Sequence, residues 1–143
     1  MNITWEHLIK TAQDATRGEH TVSPFVKGGY VGTAILTNMG NVYTGINLET
    51  RCHLGTCAER YALHKMFEAN KDEYPTRMAV IYRDEVQTPC GACREMYMQY
   101  GNGAHDMEIL LSLDPLKTIK LDDMMQPWWG QSRLDGDSRP APF

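Results

Sequence analysis

The stretch "TPCGACREMY" (residues 88–97) sets Cys90 and Cys93 behind a proline with two residues between them, and "TCAER" (residues 56–60) sets Cys57 two positions before Glu59. A cysteine pair at this spacing serves as a redox couple, a structural staple or two metal ligands, and the pair alone leaves all three open. Pro89 suits the first turn of a helix. Cys57 begins a helical pattern of its own. Helix starts present free N–H groups and the positive end of the dipole, which favour thiolates. Two such starts at one end of a sheet would bring three thiolates together. Three thiolates on a tetrahedral zinc leave one position open, the mark of a catalytic site rather than a structural one.

Glu59 belongs to the same question. The helix expected over residues 57–70 carries Ala62, Leu63 and Met66 on its apolar stripe, with Phe67 at the edge, and Glu59 falls one turn before Leu63. A carboxylate turned toward a core is costly unless paired, hydrogen-bonded or protonated. One reading makes it a cap, or a partner of Arg60 or Arg94. The other makes it an acid–base group beside the metal.

The elements that must position these residues follow from periodicity. Residues 2–17 predict a helix with Thr4 as cap and Gly18 past its end. "EHTVSPFVKGGY" predicts a loop broken by Pro24 and Gly28-Gly29. Strands are expected from Val31 to Thr37 and from Val42 to Ile46 around a turn at residues 38–41. "RMAVIYR" (77–83) is an apolar strand of the kind covered on both faces. A helix then runs from Pro89 to about Tyr100, stopped by Gly101 and Gly103. "MEILLSL" (107–113) is a further strand, "KTIKL" a marginal one, and "LDDMM" starts a short helix ended by Pro127. From Gly130 the tail is polar and proline-rich, tied down loosely or by another subunit. A hairpin followed by alternating strands and helices gives an α/β sandwich with helices on both sheet faces. One domain over residues 1–143 is expected.

A chain of 143 residues buries enough surface to fold without disulfides, so its four cysteines call for another role. "MNITWEHLIK" has neither the basic nor the apolar region of a signal peptide, and no run is long enough to cross a bilayer. A cytoplasmic location follows, where thiols stay reduced. Net charge is -4 and the 14 basic residues are scattered. That argues against nucleic-acid and membrane partners and for a small neutral or cationic substrate.

"TCAER" with "PCGACR" resembles the zinc-dependent cytidine deaminase superfamily, in its small homotetrameric cytidine deaminase and blasticidin-type branch. The resemblance covers about Val31 to Tyr100, with a fainter echo at "DDMMQPWWG". It implies a three-layer α/β/α sandwich with a mixed, roughly five-stranded sheet. It also implies zinc (Zn2+) held by Cys57, Cys90 and Cys93, with Glu59 as proton shuttle for hydrolytic deamination of a cytidine-like nucleoside in pyrimidine salvage. Arg60 and Arg94 match arginines that hydrogen-bond the ligand thiolates and offset their charge; ordinary surface arginines are the plainer alternative.

"GINLET" matches the family's substrate strand, with Asn47 and Glu49 on one face to hold the ribose hydroxyls. Backbone around Ala58 and Thr88 would read the pyrimidine edge. Phe25 or Tyr30 stands for a pocket aromatic, and Trp128 or Trp129 for the aromatic that a neighbouring subunit contributes in a homotetramer. Cys52 matches a family cysteine that is not a ligand, and is expected as a small buried residue. Residues 47–57 are one residue shorter than the family pattern, and Arg51 and His53 replace a small residue and an aromatic. His53 either packs or touches substrate. The other histidines, His105 among them, are expected at the surface. Two rivals stay open: a deaminase of another aminated heterocycle, and an interaction domain built on a closed four-cysteine zinc.

Overall fold

The structure, a computed structural model, describes residues 2–16, 18–70 and 72–136. Its central strand is β2 (Val26–Thr37), which pairs antiparallel with β3 (Val42–Thr50) on one edge and β4 (Pro75–Tyr82) on the other. β4 runs parallel to β6 (Glu108–Leu113), and β6 antiparallel to β7 (Leu116–Lys120). Consecutive side chains leave a strand on opposite faces, and here both faces are apolar. Ile35, Met78, Val80 and Ile109 enter one core with α2 (Ala58–Ala69) and α3 (Gly91–Gln99). Their neighbours Ala34, Ala79, Ile81 and Leu110 enter a second core under α1 (Trp5–Ala15). That is the expected three-layer sandwich with a mixed sheet.

The long strands number five, as expected, but two short ones extend the sheet to seven: β1 (His20–Ser23) beside the start of β2, and β5 (Glu85–Gln87) beside the end of β4. The stretch expected as a loop is thus mostly strand, and β2 begins at Val26 rather than Val31. The glycines misled because they do not end the strand. They form a bulge, where the β2–β3 register shifts between Gly28 and Gly32, and Gly29 takes φ 86°. Thr4 caps α1, its hydroxyl accepting from the His7 N–H at 3.2 Å.

Three short helical turns complete the described chain: α4 (Asn102–His105), a 3-10 turn (Asp122–Met124) and α5 (Gln131–Leu134). The first and last were not expected. The last residues of the proline-rich tail lie outside the described residues. His105 is a correction, since it is buried, with its Nε2 2.9 Å from the Met98 carbonyl and its ring edge-on to Trp128.

Candidate active site

The site begins where β3 leaves the sheet. Leu48 and Thr56 exchange backbone hydrogen bonds of 3.0 and 2.9 Å, folding the loop between them back beside the strand. This delivers Cys57 across from Asn47, one residue beyond the Leu48–Thr56 pair. α2 then crosses β3 closely, because a Cβ at Gly45 would collide with the Ala58 carbonyl. Cys57 is the N-cap of α2 and Cys90 the N-cap of α3, and neither thiol makes a capping bond. Cys93 is one turn further on. The three sulfurs lie within 4.8 Å of one another, and they are the group that could hold a metal among the described residues.

The expectation that both helix starts lower thiol pKa values is correct only for Cys90. Burial pushes it up, but the Cys93 and Ala92 N–H groups and the neighbouring thiols bring it below the ordinary value. Burial raises Cys57, and raises Cys93 further with help from the Glu59 charge. A two-cysteine redox couple would leave Cys57, the third sulfur of the group, without a role. A divalent cation offers what this donor set needs, since metal binding displaces the thiol protons. The Arg94 Nε fits too: it is buried without a hydrogen-bond partner, one residue from Cys93. Arg60 is exposed on the pocket lining.

Glu59 is only 5% exposed, and burial lifts its carboxyl above the usual range, with partial relief from its own backbone N–H. It lies with Cys57 and Cys90 in the wall of a cavity of about 780 Å³, which Ala58, Thr88 and Tyr30 also line. Asn47 and Glu49 line it from β3. Asn47 does more than face the cavity. Its Oδ1 accepts from the N–H groups of Gly29, Tyr30 and Val31 at 3.1, 3.1 and 2.9 Å. These are the donors that the β2 bulge removes from the ladder, and gathering them leaves the Nδ2 amide as the polar group free for a ligand. Glu49 sits 3.6 Å from the Lys27 ammonium.

Other expected site residues fall elsewhere. Phe25 is 66% exposed and outside the cavity lining. Trp128 is buried in its own chain's core, its Nε1 donating to Glu95 at 2.7 Å, so it is not available to a neighbour. Trp129 is 55% exposed and shares that carboxylate. Cys52 is exposed rather than buried; its Sγ lies 3.2 Å from the Thr50 hydroxyl and outside the metal-binding group, which argues against a closed four-cysteine site. His53 does not pack. It takes φ 60° and lines the cavity. Val80, Tyr82 and Gln87 complete one wall, a contribution that neither the continuous apolar run of β4 nor the short β5 revealed.

The family model described as the cytidine and deoxycytidylate deaminase zinc-binding region matches residues 5–106, which include all three clustered cysteines and Glu59. The chain belongs to that family. Among similar proteins, a probable cytidine deaminase from Dictyostelium discoideum is 33% identical over 80% of this chain and 75% of its own. A blasticidin-S deaminase from Bacillus cereus is 30% identical over 59% of this chain and 65% of its own. The crystal structure of cytidine deaminase from Mycobacterium tuberculosis superposes with a TM-score of 0.73 at 25% identity, covering 90% of this chain and 99% of that one. The protein is therefore a zinc-dependent hydrolytic deaminase, and its clustered thiols are where its fold can accept the metal.

Proposed function

We propose that this deaminase converts cytidine or deoxycytidine, with water, to uridine or deoxyuridine and ammonia, through one domain spanning residues 1–143. The observation that carries the reading is the buried Glu59 carboxyl beside the three-thiol group in a cavity with Asn47 and Glu49 on its wall. Cys57, Cys90 and Cys93 are the zinc ligands in this reading. Bound zinc supplies the Lewis acidity that makes water nucleophilic near neutral pH. The Glu59 carboxylate takes the proton of the attacking water, then delivers protons to the ring nitrogen and the departing amine. Burial suits it to that traffic, because a carboxyl poised nearer neutrality both accepts and donates. Backbone at Ala58 and Thr88 orients the pyrimidine, and Tyr30 bounds it. Arg60 and Arg94 balance the thiolate charge.

In this reading Glu49 and the Asn47 amide hold the sugar hydroxyls, which their position on the cavity wall supports. A site built to bond a hydroxyl rejects analogues lacking it, since its own polar groups are left unpaired. Cytidine and deoxycytidine are expected to be deaminated far better than free cytosine in an ammonia-release assay. Glu49→Ala is expected to lower kcat/KM for nucleosides by about 1–3 kcal/mol. Free cytosine outperforming both nucleosides, with Glu49→Ala unchanged, would end the nucleoside assignment. The loop carrying His53 in a left-handed conformation favours including a modified nucleoside in that panel, as does the likeness to a blasticidin-S deaminase.

Assembly as a homotetramer is part of the same reading. The chain supplies no tryptophan to its own cavity among the described residues, while Trp129 stands exposed and braced on Glu95. Trp129 is proposed to cap a neighbour's pocket. Sedimentation should give a tetramer at micromolar concentration; a fully active monomer would refute it. A cytoplasmic place in pyrimidine salvage accords with reduced thiols and a nucleoside substrate. No helix among the described residues is long and apolar enough to cross a membrane.

A further inference from the structure

Two separate helices carry the metal-binding thiols, so the spacing between Cys57 and the pair Cys90 and Cys93 depends on how α2 and α3 are held together. A tetrahedral zinc with Zn–S bonds of about 2.3 Å tolerates little error in that spacing. Tyr97 lies one turn beyond Cys93 on α3, on the same helix face. It is fully buried, and its hydroxyl donates to the backbone carbonyl of Glu59 at 2.7 Å. Among the described residues this is the one hydrogen bond from an α3 side chain to the backbone of α2. It falls between the turn bearing Cys57 and Glu59 and the turn just behind Cys93. The far end of α3 is fixed separately, by His105 on the Met98 carbonyl.

Burial alone does not account for a tyrosine here. Ile35, Met66, Met78 and other apolar side chains fill the surrounding core, which would accept a phenylalanine ring. The Glu59 carbonyl does not need the hydroxyl either, because a regular helix already gives it the N–H four residues on. The bond is an additional tie between two helix starts. We propose that Tyr97 is a positioning residue, a brace that sets the thiol spacing for zinc and the place of the Glu59 carboxyl beside it. The proposal rests on the three-thiol zinc reading above.

Tyr97→Phe removes only the hydroxyl and strands no buried donor or acceptor, so it is expected to fold. Two rates test the brace: zinc transfer from the purified protein to a chromogenic chelator, and deamination of cytidine. Loss of a group that orients metal ligands costs about 10–100-fold in metal affinity or activity. Zinc release should speed up about tenfold or more and kcat should fall about tenfold, with KM within about twofold. Tyr97→Met, which also lacks the hydroxyl, should release zinc as fast as the phenylalanine variant. A merely structural tyrosine would lower the melting temperature and leave the release rate of folded protein and kcat at wild-type values, overturning the brace. So would a phenylalanine variant that behaves as wild type while the methionine variant leaks zinc, since packing rather than the hydroxyl would then be responsible. Wild-type protein that holds no zinc overturns the metal reading and the brace with it; zinc-loaded wild type matched by Tyr97→Phe overturns the brace alone.

Discussion

Glu59→Gln is expected to fold, to retain its zinc and to lose at least about 10²–10⁴-fold in turnover of the best nucleoside. The substitution keeps the side chain's size and some hydrogen-bonding capacity, so packing against the core is preserved. It removes the ability to accept a proton, and one carboxyl is asked to serve several transfers in each turnover. Binding should change much less than kcat, because Asn47 and Glu49, the residues proposed above to hold the sugar, lie on β3 rather than on α2. The measurement is a steady-state comparison with zinc content and melting temperature determined on the same samples. A glutamine variant with near-wild-type kcat would show that Glu59 is only a buried carboxyl and that proton transfer runs elsewhere. A variant that loses zinc as well as activity would leave the shuttle role unsupported, because the damage would then be to the metal site.

Most of what positions Glu59 was legible in the residue order. The cysteines announced two helix starts, and both helices begin with an N-cap cysteine, while Pro89 falls just before the cap of α3 rather than in its first turn. The stripe that includes Glu59 correctly placed it inward. What escaped were features created only when distant segments meet. Gly28 and Gly29 look like chain breakers, but become a strand bulge once Asn47 collects the freed N–H groups. Asn47 was readable as a substrate residue and not as a backbone anchor, because its three partners lie 16–18 positions upstream. His105 and Trp128 looked peripheral in a polar, interrupted stretch, yet each has a partner that allows burial: the Met98 carbonyl for one, Glu95 for the other. Tyr97 has no local signature, because nothing in its neighbours predicts a carbonyl 38 positions upstream.

The cysteines give the sharpest separation between rival readings. Cys57→Ala, Cys90→Ala and Cys93→Ala should each abolish tight zinc binding, from about one ion per chain to near none, and should abolish turnover. Cys52→Ala should do neither, since its sulfur is engaged with Thr50 outside the cluster. The three ligand variants should also differ in a way that geometry dictates. Cys90 is exposed, so its loss removes the metal while leaving the apo fold about as stable as the wild-type apo protein. Cys93 is fully buried, so alanine there leaves unfilled space and costs about 1 kcal/mol beyond the loss of metal. Zinc binds the folded state preferentially, so wild-type and Cys52→Ala melting temperatures should fall on chelation while those of the ligand variants stay put. Metal analysis and thermal melts with and without chelator decide it. Freshly purified wild type without zinc, or equal loss of zinc from all four variants, would contradict a three-thiolate site with one position open. A closed four-thiolate zinc predicts that equal loss, and with it a protein whose buried Glu59 has nothing to activate.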